Sequence, residues 1–156
     1  MKTTSIGLNV KEADKLIVSL NELLANFQIY YQSLRGLHWN IKGKSFFELH
    51  VKFEEFYTDS QEKVDLIAER ILTLGGTPLH TFEEYISLSE VKVGKNIVDG
   101  ENSVKLIVDS LSKLLKLERV ILEQSDEAND EGTNAMMSDF IAEQEKTVWM
   151  LNAWLS

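Results

Sequence analysis

The sequence has 156 residues, of which 44% are hydrophobic and 26% are charged, values typical of one globular domain with a substantial core. Its 16 basic and 25 acidic residues give a formal net charge of −9, which disfavours phosphate backbones as partners and favours cations. The absence of cysteine excludes disulfides, thiolate metal sites and thiol nucleophiles.

One proline and eight glycines interrupt the chain, so we expect long continuous helices. The first helix is predicted to begin at Asn9, because Glu12 follows three residues later in a capping-box arrangement. Apolar residues then recur at helical spacing, and the helix should end at Gly36–Trp39. A short turn that contains Gly43 follows it.

Ser45 and Glu48 form a second candidate capping box, which predicts the start of a second long helix. This helix should reach Leu74, because two glycines and then Pro78 follow. It would span roughly 30 residues, or about 45 Å. The connection after it has room for one or two helical turns within residues 81–89.

A third helix is predicted from Asp99–Asn102 to Gln124–Ala128, and a fourth from Thr133 to Ser156. Four helices with a long crossover that carries a short helix between the second and third are typical of an all-α, ferritin-like four-helix bundle. No linker divides the chain, so residues 1–156 should form a single domain. No apolar run suggests a signal peptide or a membrane span, so we expect a cytoplasmic protein.

The second helix carries residue types that bind metals on one of its faces. At about 100° per residue, His50, Glu54, Asp65 and Glu69 fall on one stripe, and His38 lies just before this helix. His50 and Asp65 are fifteen residues apart, which is about 22 Å along a helix axis. Because ligand bonds to first-row metals are about 2 Å long, one chain cannot bring both groups to one ion.

Two copies of this helix, packed antiparallel about a two-fold axis, would bring the histidine end of one copy to the Asp65 and Glu69 end of the other. Each dimer would then hold two identical sites. Imidazole and carboxylate ligands suit iron, manganese or zinc. The spacing alone also fits an ordinary solvated acidic face, which is our interpretation of Glu55 and Glu62.

The segments LRGLHWNIKGKSFFELHVKFEEFY and DLIAERILTLGG closely resemble the Dps family of mini-ferritins (DNA-binding proteins from starved cells). The resemblance covers nearly the whole chain, including TPLHTFEEY and VWMLNAWL. Its most specific part is His-Trp-Asn, a second histidine twelve residues after the first, and Asp-x-x-x-Glu-Arg fifteen residues further on.

The resemblance implies that His38 and His50 of one subunit share a ferroxidase centre with Asp65 and Glu69 of the partner subunit. In this family the centre oxidises Fe(II) with hydrogen peroxide, or less efficiently with dioxygen. The ferric product is stored in a hollow dodecamer built from two-fold dimers. We therefore expect iron as the metal, a homo-oligomer, and protection against oxidative stress.

Other positions are expected beside these ligands. Glu54 stands where family members often have Asp, and it is either a direct metal ligand or a neighbour of the ligands. Trp39 resembles an oxidisable tryptophan beside the family's centre, although a packed aromatic at a helix end is an equal alternative. Arg70 is expected to form an ion pair at the subunit interface.

The region from Val120 to Glu145 contains eight acidic residues and no Lys or Arg. In Dps proteins the turn between the third and fourth helices lines the three-fold pore through which iron enters, and acidic rings attract cations. The resemblance therefore makes Asp126, Asp130 and Glu131 candidates for an ion pore. Without it, a solvated acidic loop is the simpler interpretation.

Three other functions fit the sequence less well. A ferritin with a di-iron site inside each bundle needs Glu-x-x-His motifs, but Arg35, Phe47 and Thr77 stand where those glutamates would be. A protein that covers DNA would need a basic tail, but Lys2 is the only base in the first ten residues, so DNA binding is not expected at physiological salt. A structural helical oligomer without metal is the third alternative.

Overall fold

The computed structural model describes all 156 residues and contains five helices and no β-strand. The helices are α1 (Val10–Asn40), α2 (Phe46–Thr73), α3 (Phe82–Leu88), α4 (Gly100–Glu127) and α5 (Glu131–Leu155). The four long helices form a bundle, and the short α3 lies in the crossover between α2 and α4. The predicted all-α, ferritin-like fold is therefore confirmed. None of the helices combines the length and the apolar character needed to cross a membrane.

Side-chain caps explain where most helices begin. The Asn9 side chain accepts a hydrogen bond from the backbone N–H of Glu12 at 3.2 Å, and Asp99 accepts one from Asn102 at 2.8 Å. Thr81 caps α3 in the same way. These contacts satisfy N–H groups that have no partner within the helix. The predicted starts of α1 and α4 are confirmed.

The second helix begins after Ser45 as predicted, but the predicted capping box is absent, and the predicted start of the last helix needs correction. Ser45 forms no capping hydrogen bond, because its backbone (φ −95°, ψ 18°) belongs to a tight turn in which the Phe46 N–H donates to the Gly43 carbonyl at 3.2 Å. Gly43 permits this turn with a φ of +116°. At the other end of the chain, α5 begins at Glu131, two residues before Thr133, because Asp130 is its N-cap.

The core is built around α1, which packs against α2, α3 and α4, while α4 packs against α5. Burying each large apolar side chain stabilises the fold by about 1.5–3 kcal/mol. The largest fully buried side chains come from α1, from α2 and the residue after it, and from α4: Phe27, Phe53, Leu16, Leu20, Leu23, Leu24, Leu34, Leu37, Ile67, Ile71, Leu74 and Ile107.

A buried asparagine in α1 holds the crossover in place. The Oδ1 of Asn26 accepts hydrogen bonds from the backbone N–H groups of Glu90 and Val91, at 2.8 and 3.1 Å, and from the Ser89 hydroxyl at 3.3 Å. Its Nδ2 donates to the Glu22 carbonyl at 2.8 Å. Because buried N–H groups need acceptors, this side chain determines the path from α3 towards α4.

Candidate metal centre

Two histidines bind each other's backbone where α1 ends and α2 begins. The Nδ1 of His38 lies 2.6 Å from the carbonyl oxygen of His50, and the Nδ1 of His50 lies 2.7 Å from the carbonyl oxygen of His38. The two rings stack with their centroids 3.8 Å apart, and Phe46 stacks on His50 at 4.9 Å. The short connection after α1 therefore produces a rigid imidazole pair.

These contacts determine which nitrogen of each ring is free. A carbonyl oxygen can only accept a hydrogen bond, so each Nδ1 must carry a proton and donate it. In the neutral ring, Nε2 then carries the lone pair with which histidine binds a metal ion. Such second contacts orient metal-binding histidines and increase their basicity. In both His38 and His50, the Nε2 lone pair is therefore available to bind a metal ion.

The Glu54 carboxylate lies beside this histidine pair. Its Oε1 is 3.8 Å from the Nε2 of His38, and it accepts a hydrogen bond from the Tyr57 hydroxyl at 3.4 Å. The Tyr57 ring meets the His38 ring edge-on, with centroids 5.4 Å apart. Burial and the charge of Glu54 raise the pKa of Tyr57. Glu54 lies one helical turn after His50 on α2, so its carboxylate lies at the same end of the bundle as the two histidines.

The two other predicted ligands lie towards the opposite end of α2. Asp65 and Glu69 are exposed, and neither forms a salt bridge within the chain. No group of three or more His, Asp or Glu side chains in this single chain is placed to hold a metal ion. We therefore consider two separate candidate sets of metal ligands, which we call the histidine half-site (His38, His50 and Glu54) and the carboxylate half-site (Asp65 and Glu69).

Comparison with known proteins identifies the family. Residues 17–156 match the ferritin-like domain family. The chain is 43% identical over 148 residues to the DNA protection during starvation protein of Porphyromonas gingivalis, a match that covers 95% of this chain and 93% of that protein.

Two solved structures agree with this match. The Dps protein of Vibrio cholerae O1, described as a member of a broad superfamily of ferritin-like diiron-carboxylate proteins, aligns with a TM-score of 0.98 and 54% identity over 100% of this chain and 98% of that one. Dps from Bacillus brevis aligns with a TM-score of 0.91 and 35% identity over the full length of both chains. The chain belongs to the Dps family.

In this Dps chain, Trp39 lies on the surface directly after His38. Its ring is packed on the guanidinium of Arg35, whose Cζ is 5.0 Å from the Trp39 ring centroid and 5.3 Å from that of Tyr31. Trp39 is 57% exposed. The tryptophan is therefore held by a cation–π contact on α1 and is not part of the hydrophobic core.

The three candidate pore residues in the acidic turn between α4 and α5 differ in their exposure. Asp126 and Glu131 are exposed, but Asp130 is only 2% exposed. One oxygen of Asp130 accepts hydrogen bonds from Arg70 at 2.6 Å and from the Thr133 N–H at 3.1 Å, and the other accepts one from the Thr133 hydroxyl. Asp130 thus caps α5 and pairs with Arg70 within one chain, which corrects the expectation of an interface partner for Arg70.

A polar group inside the bundle was missed by the sequence reasoning. Lys63, Glu118 and Gln144 are 4%, 0% and 5% exposed. Burial raises the pKa of Glu118 to about 8, although the Gln144 hydrogen bond and the charge of Lys63 oppose that rise. The sequence could have predicted that Glu118 is buried, because Glu118 lies on the apolar helical stripe that runs through Leu111 and Leu114 to Ile121.

Proposed function

We propose that this Dps chain is the subunit of an iron-storing ferroxidase whose catalytic sites are completed between two-fold related subunits. In each site, His38, His50 and Glu54 of one subunit would hold Fe(II) together with Asp65 and Glu69 of the partner subunit. The ferric product would be stored as a mineral inside a hollow dodecamer. Iron is here the substrate and the stored cargo of the protein.

One observation carries this proposal. The reciprocal contacts between His38 and His50 leave two Nε2 atoms free at one end of α2, while two exposed carboxylates without a salt-bridge partner lie towards its other end. An antiparallel two-fold pairing of α2 would bring each histidine half-site to a carboxylate half-site. Val51, Leu66 and Leu72, which are 55%, 48% and 58% exposed in the single chain, offer apolar area for such a contact.

The donor set supports iron chemistry at this position. Imidazole nitrogens with carboxylate oxygens, and no thiolate, suit Fe(II) and allow its oxidation to Fe(III). Two Fe(II) ions would each lose one electron to hydrogen peroxide, whose O–O bond breaks, and two protons would complete two water molecules. Consuming iron and peroxide together in this way avoids the release of hydroxyl radical, which supports a role in oxidative stress. Dioxygen is the alternative oxidant.

DNA binding is not part of the proposal, although relatives carry a name that refers to DNA protection. The formal net charge of −9 per chain opposes contact with phosphate groups, and affinity for DNA depends on neutralising them with Lys and Arg. We expect no gel shift with duplex DNA at physiological salt.

Stopped-flow measurement of Fe(II) oxidation by peroxide tests the shared site. His50→Ala and Asp65→Ala should each abolish most of the fast phase, because each removes one ligand from both sites of a dimer. Glu55→Ala is the matched control, since this α2 carboxylate pairs with Lys52 at 2.7 Å, and it should leave the fast phase intact.

Mixing the two inactive variants gives a sharper test. A dimer with one His50→Ala chain and one Asp65→Ala chain has one site without either ligand and one site with all its ligands. Mixed oligomers should therefore regain part of the fast phase. If subunits demonstrably exchange and no activity returns, the shared site is wrong. If the native protein oxidises Fe(II) no faster than buffer does, the ferroxidase function itself is wrong.

A further inference from the structure

A buried lysine inside the bundle binds two carboxylates on different helices. The Nζ of Lys63, on α2, lies 2.6 Å from Oδ2 of Asp59 and 2.9 Å from Oε2 of Glu143 on α5. The Lys63 side chain is 5% exposed, whereas those of Asp59 and Glu143 are 56% and 62% exposed. The ammonium also lies 5.2 Å from the centroid of the Phe140 ring. The Lys63 ammonium is therefore buried, and the Asp59 and Glu143 carboxylates lie between it and the solvent.

Further oxygen donors lie deeper in the bundle. Glu118, on α4, accepts a hydrogen bond from the Gln144 amide at 2.8 Å through Oε2, but its Oε1 has no partner. The Oε1 of Gln144 also has no partner, although both side chains are buried. Buried oxygens of this kind normally find a donor or a cation. Because burial raises the pKa of Glu118 to about 8, its carboxyl is protonated at neutral pH and would release that proton when a cation binds.

A small cavity adjoins these groups. It has a volume of about 30 Å³ and is lined by residues of α1, α2, α4 and α5, among them Tyr30, Asp59, Ser60 and Gln144. Half of its lining residues are hydrophobic, but it has room for a water molecule beside the polar side chains of Asp59, Ser60 and Gln144. The carboxylates at the rim, the deeper unpartnered oxygens and the room for water together make up the oxygen-rich surroundings that hard divalent cations prefer.

We propose that the Lys63 ammonium fills a cation site built from Asp59, Glu143, Glu118 and Gln144 inside each bundle, and thereby keeps divalent metal ions out of the bundle. A metal ion at the ammonium position would find one oxygen of Asp59 and one of Glu143 within 3 Å. The unpartnered oxygens of the buried Glu118 and Gln144 would be the further ligands. As long as Lys63 is charged, a second positive ion is repelled at short range. Lys63 therefore determines that metal ions bind elsewhere on the subunit, which is a separate claim from the ferroxidase proposed above.

Terbium binding to variants of the complete oligomer tests this inference. All proteins carry His50→Ala, so the result does not depend on the interface site. Lys63→Met should bind one additional Tb³⁺ per chain compared with its parent, and excitation through the nearby Tyr30 should sensitise the emission. Lys52→Met is the matched control, because Lys52 also pairs with a carboxylate on α2 but is exposed, and it should add no such ion.

Adding Glu118→Gln to Lys63→Met locates the new site. If the ion binds inside the bundle, this second change should weaken its binding by about tenfold or more. The inference is overturned if Lys63→Met binds no more Tb³⁺ than its parent. It is equally overturned if Glu118→Gln has no effect, because the ion then sits only on the exposed Asp59 and Glu143. Lys63→Gln, which keeps polar hydrogen-bonding capacity, replaces Lys63→Met if the latter loses helicity or assembly.

Discussion

Among single residues, Glu54 raises the question of whether its carboxylate binds the metal ion directly. Its carboxylate is 57% exposed, and it lies 3.8 Å from the Nε2 of His38, too far for a strong ion pair. This leaves it free to move towards a metal ion that His38 and His50 bind first. The hydrogen bond from Tyr57 holds it on the correct side of the histidine pair.

Two substitutions at Glu54 separate the importance of its charge from that of its length. Glu54→Gln removes the negative charge and should weaken Zn²⁺ or Fe(II) binding in calorimetric titration by about tenfold, which corresponds to about 1.4 kcal/mol. Glu54→Asp keeps the charge and should retain most of the affinity. Equal affinities for the native protein and Glu54→Gln would show that this carboxylate does not contact the metal.

Glu118 makes the stability of the fold depend on pH. Its pKa rises from 4.5 to about 8 on burial, so the folded chain keeps a proton that the unfolded chain releases. The free energy of unfolding therefore includes a contribution from the neutral Glu118 carboxyl. This contribution is present in full below pH 4.5 and is lost as the pH rises to about 8. Its total size is on the order of 3–5 kcal/mol.

Glu118→Gln should remove this dependence, because an amide stays neutral at every pH. Between about pH 5 and about pH 9, the melting temperature of the native protein should fall relative to that of the variant. Thermal scans at a fixed chain concentration measure the difference, since assembly also affects the midpoint. Parallel curves for the two proteins would mean that Glu118 is not buried as a neutral acid.

The residues of the half-sites could be predicted from helical spacing and family resemblance, but their contacts could not. The stripe identified His50, Glu54, Asp65 and Glu69, and the structure places them on α2 as expected. The exchange of Nδ1 contacts with His38 depends on the geometry of the tight turn before α2, which no motif records. Asp130 illustrates the same limit, since the family resemblance made it a pore candidate and only the structure shows that it caps α5 and pairs with Arg70.

At the level of helices, the start of α5 depends on a contact that differs from the other caps. Asp130 is buried and bonded to both Thr133 and Arg70, whereas Asp99, which caps α4, is exposed and bonds only Asn102. Removal of Asp130 therefore costs the cap and also leaves Arg70, 18% exposed, without its partner.

The two capping aspartates provide a matched pair of variants. Asp99→Ala should destabilise the chain by about 1 kcal/mol, the usual value of an exposed cap. Asp130→Ala should cost about 3 kcal/mol, because it also breaks a largely buried ion pair. Thermal or guanidinium denaturation at one chain concentration compares them. Equal losses would indicate that the pair with Arg70 contributes no stability.

Contacts between residues close in sequence, such as helix caps, could be predicted, whereas contacts between distant residues could not. Asn9 and Asp99 bond N–H groups three residues ahead, so the sequence alone predicts those caps. Asn26 looks like any polar residue within α1, yet it bonds residues more than sixty positions away in the crossover. Only the position of Asn26 on the buried face of α1 hints at that function.

For the whole molecule, the distribution of negative charge is expected to attract Fe(II) from solution towards the proposed catalytic sites. The chain has an excess of nine negative charges, and the exposed Asp126 and Glu131 lie at the turn that we expect to line the three-fold pore. An acidic ring at a narrow opening raises the local concentration of Fe(II). Such long-range attraction is screened within about 10 Å at about 0.1 M salt.

The double variant Asp126→Asn/Glu131→Gln should therefore slow the oxidation of excess Fe(II) at low ionic strength, while the first ions still bind with native affinity. Added NaCl should slow the native protein more than this variant, because the variant has little attraction left to screen. Glu83→Gln/Glu101→Gln changes the net charge equally at exposed positions on α3 and α4 away from the turn and should leave the rate nearly unchanged. If both double variants slow the reaction to the same extent, the general field of the shell attracts iron and no specific acidic opening is needed.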